Sequence, residues 1–312
     1  MKDFNQINKI LKELIGYEIA LDDAAAFIDM MNTVNTVWFN PILLEKDFWL
    51  TVILIYIANE LPELRFKWWT CLNKIYYPYY RLSEDLDFTF PFNEEIVDSN
   101  NKRIAFSRKI REKIKKIVNL TWREINPDSV QHKKALWLKD LRNKEHTYLK
   151  YVLRYPSFID WTMQTIKIEL TYTPKQYFES KYETIKSIFI NPINEKPLFK
   201  EQTIQCLSVE EMVTEKCRAA LTRRTPAIRD FFDLWYLQNN WIDIFANKDV
   251  IIKKCLEISD LQRTSFWNYD ELEHQIDTEL NPVLQKENNF DLKKIYNEIV
   301  ALKDDIASAF KN

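Results

Sequence analysis

The stretch Lys67–Phe90, KWWTCLNKIYYPYYRLSEDLDFTF, decides the fold. Its last six residues, DLDFTF, alternate and are rich in β-forming types, the pattern of a half-buried strand. Side chains two apart on a strand point to the same face, so Asp85 and Asp87 stand side by side. Such a pair suits Mg²⁺, which takes one or two carboxylates and completes its shell with substrate phosphate oxygens. A metal pair held there stabilises in-line phosphoryl displacement. Acids that merely solvate the outer face of a strand give the same pattern, so the pair is weighed with its neighbours. Upstream, LRFKW (64–68) reads as a short strand and TCLNKIYY as one or two helical turns before Pro78. Between them stand Trp68 and Trp69, where a phosphate-handling loop takes glycine so that backbone amides can approach the anion.

Outward from this stretch, the first sixty residues read as helices. INKILKELI and DAAAFIDMMNTV have apolar spacing near the helical period, and LLEKDFWLTVILIYIANEL follows Pro41. Residues 101–118 form a basic amphipathic helix with Ile110, Ile114 and Ile117 on one face. YLKYVLRY (148–155) and QTIKIELTY (164–172) alternate as strands do. After the proline-containing stretch 191–198 the pattern turns helical to the end. There SVEEMVTEKCRAALTRR opens with a capping box, Ser208 and Glu211, and Pro226 is placed in the first turn of PAIRDFFDLWYLQ. The fold class is α+β, with a mixed α/β lobe over 1–200 and a helical lobe over 201–312.

Composition narrows the class of protein. The run TVILIYIA is too short to span a bilayer, so no membrane partner is expected. Four well-separated cysteines without a CxxC pair, and three histidines without HExxH, argue against a disulfide framework or a zinc site. A reducing, cytoplasmic setting is the expectation. The net charge of −2 conceals a basic segment: residues 101–155 hold 16 Lys or Arg against five Asp or Glu. That asymmetry points to an acidic partner, and Lys102, Arg103, Lys109, Lys113 and Lys116 on the helix are the candidate contacts to an RNA backbone. A solvated amphipathic face is the competing explanation.

Other acids and cations accompany the Asp pair. In IKIEL, Lys167 and Glu169 share one strand face, opposite Ile166, Ile168 and Leu170, and Glu169 is a candidate third metal carboxylate. Lys216 lies on a helix, where an ammonium can neutralise phosphate as a point charge. Asp230 and Asp233, three apart on a helix, are placed to orient Arg229 or Lys216.

In order and spacing these segments resemble the AbiEii family of nucleotidyltransferase toxins, found in abortive-infection and toxin–antitoxin systems. The family reads K-D-[YF]-W, K-G-G-T-S-L-S-K, R-F-S-E-D-[IL]-D, I-x-I-E-[IL], E-K-x-x-A-L-x-x-R and R-D-x-x-D. Here stand Lys46-Asp47-Phe48-Trp49, KWWTCLNK (67–74), RLSEDLD (81–87), IKIEL (166–170), Glu215-Lys216 ahead of Ala219, Ala220, Leu221 and Arg224, and Arg229-Asp230 ahead of Asp233. The match runs over about residues 44–240. The resemblance implies a nucleotidyltransferase fold with a helical lobe closing over the nucleotide. It implies Mg²⁺ held by Asp85 and Asp87, and Lys216 with Asp230 as triphosphate-side and catalytic helpers. It places Lys67, Trp69, Thr70, Lys74, Arg81, Ser83, Arg229 and Asp233 at the NTP. The activity implied is transfer of a nucleotide from an NTP to an acceptor such as a tRNA 3′ end, with a cognate antitoxin as partner.

The departure is Trp68-Trp69 in the family's Gly-Gly position. One explanation is a blocked phosphate loop, leaving a catalytically degenerate module that still binds a partner. The other is decoding: some genetic codes read UGA as glycine, and translation with tryptophan at that codon converts Gly to Trp. The chain has one glycine, Gly16, beside ten tryptophans, where average usage predicts roughly 22 glycines. Trp49 stands where the family itself favours tryptophan.

Overall fold

The computed structural model describes residues 39–90, 99–122, 139–142, 147–157, 159–160, 162–172, 175–190, 196–223, 225–257, 269–284 and 289–309, together with Lys9, Lys12 and Glu13. Of the helix expected over INKILKELI only Lys9, Lys12 and Glu13 are described, all three helical, while DAAAFIDMMNTV and most of the basic run 123–146 lie outside the described residues. The chain divides into two compact units. The first comprises 1–175 and 180–206; the second comprises 176–179 and 207–312.

The first unit is built on a seven-stranded mixed sheet. Its elements are α1 (Pro41–Glu60), β1 (Arg65–Lys67), a short α2 (Trp68–Cys71) with a π-helical turn (Leu72–Tyr76), β2 (Asp85–Phe90) and α3 (Asn100–Trp122). They continue with β3 (Lys139–Arg142), β4 (Tyr148–Pro156), β5 (Met163–Tyr172), β6 (Lys181–Thr184) and β7 (Thr203–Cys206). The strand order is β3-β4-β5-β2-β1-β7-β6, with β2–β5 and β1–β7 parallel and the remaining pairs antiparallel.

Helix α1 starts where the sequence expects. Asn40 caps it by accepting the Ile42 N–H at 2.9 Å, and Pro41 occupies the first helical position, where a missing N–H costs nothing. Leu44 through Ile57 are buried without interruption, which is why this helix has no polar stripe. In α3 the expected face is the buried one: Ile110, Ile114 and Ile117 are sealed from solvent. The sheet shows the period of two cleanly. Phe66, Phe88, Leu170 and Leu149 form one cross-strand row of fully buried side chains, and Leu86, Ile168 and Tyr151 form the next. Residues between them face the other way and carry the polar groups.

The second unit is helical: α4 (Val209–Thr222), α5 (Ile228–Asn239), α6 (Lys248–Leu256), α7 (Tyr269–Gln275) with a π turn (Ile276–Leu280), and α8 (Leu292–Ala309). Ser208 caps α4 by accepting the Glu211 N–H at 3.2 Å. Glu211 is otherwise engaged. Its Oε2 accepts the N–H groups of Tyr177 and Phe178, each at 2.9 Å, which ties the short 176–179 segment to this unit.

Three expectations need correction. The pattern does not turn helical directly after 198, because Thr203–Cys206 is a strand between β1 and β6. Four residues are too few for a period to show. The units consequently divide between Cys206 and Leu207 and not near 200. Pro226 lies before the helix: Ala227 is the N-cap and α5 starts at Ile228. All four cysteines are free and buried. Among the described residues no helix is long and apolar enough to cross a membrane.

Candidate active site

The polar face of the sheet is assembled by register. Lys67 on β1 pairs with Asp87 on β2, Asp87 with Glu169 on β5, and Glu169 with Lys150 on β4. The four side chains form one row across four strands. Asp85 pairs with Lys167 in the adjacent row, and Thr89, Thr171 and Tyr148 form the row beyond. Three carboxylates and three ammonium groups thus share one half-buried face, all placed by strand alternation.

Their contacts are of the exchangeable kind. Lys167 Nζ lies 3.4 Å from Asp85 Oδ2, with both side chains a third or more exposed. Lys150 Nζ reaches Glu169 Oε1 at 2.5 Å, and the Tyr148 hydroxyl donates to Glu169 Oε2 at 3.1 Å. Lys67 Nζ donates to Thr171 Oγ1 at 2.5 Å. The Lys167–Asp85 pair, a third or more exposed on both sides, is worth at most about 1 kcal/mol. Burial pushes the Asp85 carboxyl above the ordinary aspartate value, with Glu84 and Glu169 adding to the rise and Lys167 opposing it.

The turn before β2 is bolted to the same place. Thr70 and Ser83 share a hydrogen bond of 2.6 Å, and Thr70 Oγ1 also donates to the Asp85 carbonyl. Arg81 is buried, donates to the Leu82 carbonyl at 3.0 Å, and lies over the Trp69 ring at 5.1 Å. Lys46 of α1 pairs with Glu84 at 2.9 Å. Lys67, Trp69, Thr70, Arg81 and Ser83 are thus gathered in the strand and turn that lead into Asp85 and Asp87.

Lys74 is placed differently. It is fully buried, and its Nζ donates to Asp47 Oδ2 at 2.6 Å, Thr51 Oγ1 at 2.7 Å and the Tyr79 hydroxyl at 3.1 Å. Burial lowers the Lys74 pKa and raises that of Asp47, each drawn back by the other's charge. Removing one partner of such a pair costs about 3–5 kcal/mol, so the pair with Asp47 holds Lys74 in the scaffold. Lys216 is likewise buried, with its Nζ 2.8 Å from Asp233 Oδ2 and both side chains shielded from solvent. Asp230 is buried and paired with Arg223 at 3.1 Å, while Arg229 Nε donates to the Glu279 carbonyl at 3.0 Å.

On α3, Lys102 is exposed, whereas Lys109 pairs with Glu63 at 2.8 Å and Lys116 with Glu60 at 2.5 Å. Lys113 donates to the Glu60 carbonyl. Part of the basic face thus fastens α3 to the end of α1. Sequence reasoning missed Tyr148 and Thr171 as walls of the acidic row. It also missed Asp47 as the partner of Lys74, although the KDFW segment holding it was singled out.

Whether these residues fit Mg²⁺ turns on the donor set. Among the described residues no group of three or more His, Cys, Asp or Glu is placed to hold a metal ion. Asp85 and Asp87 supply two hard carboxylates on one face, which meets the demand of a Mg²⁺ that draws its remaining ligands from water and phosphate. The pair fits on that basis.

A family model described as "Nucleotidyl transferase AbiEii toxin, Type IV TA system" matches residues 58–310. The chain belongs to this family of nucleotidyltransferase toxins, a class that implies a cognate antitoxin. No curated protein matches the chain. Two crystal structures from Helicobacter pylori are similar to it. JHP933 is 17% identical with a TM-score of 0.44, over 88% of this chain and 95% of that one. A protein titled as a nucleotidyltransferase is 18% identical with a TM-score of 0.45, over 86% of this chain and 96% of that one.

Proposed function

We propose that the chain transfers a nucleotide from an NTP to a hydroxyl of an RNA acceptor, such as a tRNA 3′ end, with Asp85 and Asp87 holding Mg²⁺. The observation that carries this reading is the charge-balanced polar face, where Asp85, Asp87 and Glu169 alternate with Lys67, Lys150 and Lys167. Bound Mg²⁺ supplies the positive charge that offsets the entering and leaving oxygens of a phosphoryl displacement. Everything else comes from the chain. The triphosphate-side part expected of Lys74 and Lys216 passes to Lys67, Lys150 and Lys167 on the polar face. Glu169, steered by Tyr148 and Lys150, accepts the proton of the attacking hydroxyl. Thr70 and Ser83 fix the turn that presents Asp85.

Incubation with α-labelled NTPs, Mg²⁺ and total tRNA tests the proposal. Label entering RNA, with a yield falling steeply as salt rises, is the expected result, because RNA held through many Lys and Arg contacts is salt-sensitive. Label entering a small molecule or protein with weak salt dependence refutes the RNA acceptor. A second reading, a binding module without turnover, is favoured by one observation: the Trp68 ring lies 5.4 Å from Lys67 Nζ, at the mouth of the polar face. Tight NTP binding with no transfer under any condition is its signature.

A further inference from the structure

We propose that residues 68 and 241 are glycine in the protein as its native source makes it. Tryptophan at these two positions is then the product of reading a UGA codon as Trp where the source reads it as Gly. Three described residues have positive φ: Trp68 at 64°, Tyr79 at 61° and Trp241 at 67°. These lie in the left-handed region, which costs an L-residue with a Cβ roughly 1–2 kcal/mol and costs glycine nothing. Non-glycine residues found there are mostly Asn, Asp or His. Two of the three here are tryptophan, a type that fills ten of 312 positions. The described residues contain no glycine at all, since Gly16 lies outside them.

The local structure at each position singles out glycine independently. At the end of α5, the Trp241 N–H bonds to the Gln238 carbonyl at 3.2 Å and the Ile242 N–H to the Leu237 carbonyl at 3.1 Å. That crossed pair, with a left-handed residue between, is the Schellman termination, and the residue it takes at this place is usually glycine. The Trp241 side chain is 96% exposed, so its ring gains almost no burial to offset the backbone cost. Trp68 follows β1 directly and opens α2, so its left-handed φ falls where the chain turns from strand into helix.

Tyr79 shows what a genuine side chain at positive φ looks like. Its ring is buried, and its hydroxyl accepts from Lys74 at 3.1 Å and from the Ile188 N–H at 2.6 Å, so tertiary contacts hold it. Trp49 and Trp235 mark the opposite case. Both lie in helices, Trp49 buried edge-on to Phe48 at 5.2 Å and Trp235 against Phe232 at 5.6 Å and Phe290 at 5.4 Å. Glycine at either would leave a cavity, so these two are tryptophan. The inference does not depend on the function proposed above.

Sequencing by tandem mass spectrometry of peptides from the natively produced protein tests it, together with the codons of the gene. The expected result is glycine encoded by UGA at 68 and 241, and tryptophan encoded by UGG at 49 and 235. Tryptophan in the native peptide at 68 or 241, or glycine at 49 or 235, overturns it. In recombinant protein carrying all ten tryptophans, Trp241→Gly is expected to raise the thermal midpoint and Trp49→Gly to lower it. A midpoint unchanged or lowered by Trp241→Gly counts against the assignment.

Discussion

Asp85 is caught between two demands. Its carboxyl is raised by burial and by Glu84 and Glu169, so the folded chain holds that proton more tightly than the unfolded chain does. The stability tied to this group is present below the ordinary aspartate pKa and is lost as pH rises through the folded value. Asp85→Asn removes the cost, and thermal unfolding at neutral pH is expected to show a higher midpoint for the variant; a lower one contradicts this account. Metal holding needs the carboxylate, so activity runs the other way. The acid limb of a transfer-rate profile is expected above the usual carboxylate range. It should move further up in Lys167→Met, which removes the opposing cation, and down in Glu84→Gln, which removes a neighbouring acid. At Asp47 and Lys74 the balance is purely structural. Lys74→Met or Asp47→Asn strands a buried charge, and denaturant titration is expected to show losses of about 3–5 kcal/mol, largely recovered when the two are combined.

At the scale of elements, burial decides and surface charge does not. Helix α3 buries Ile110, Ile114 and Ile117 on its inner face and pairs Lys109 with Glu63 and Lys116 with Glu60 on its outer one. Ile114→Ala is expected to cost about 2–5 kcal/mol by denaturant titration. Glu60→Gln with Glu63→Gln should cost no more than about 2 kcal/mol together, because exposed pairs contribute little each. What was legible in the sequence follows the same division. The α1 run, the isoleucine face of α3 and the alternation of β2, β4 and β5 repeat often enough for the period to be read. Strand β7, four residues long, and β6 do not, and no local pattern states that β5 lies parallel to β2. The partner of Lys74 was equally hidden, whereas Asp233 was among the acids expected to orient Lys216. A lysine bound for a phosphate and a lysine bound for a buried aspartate look alike in one dimension.

The whole molecule comprises a sheet-based unit carrying the acids and a helical unit organised around its own ion pairs. Glu211 has the widest reach in the second: it accepts Lys254 at 2.6 Å and the amides of Tyr177 and Phe178. Glu211→Gln is expected to speed hydrogen exchange at those two amides ahead of the sheet strands; unchanged protection would remove the tie described here. The most direct measurement compares nucleotide transfer to RNA by the parent chain, Asp85→Ala and Asp87→Ala, with folding of each verified by circular dichroism. Transfer by the parent, abolished in both variants while their folds persist, is the predicted result. Transfer at parental rates by either variant would contradict the claim that these two carboxylates form the site.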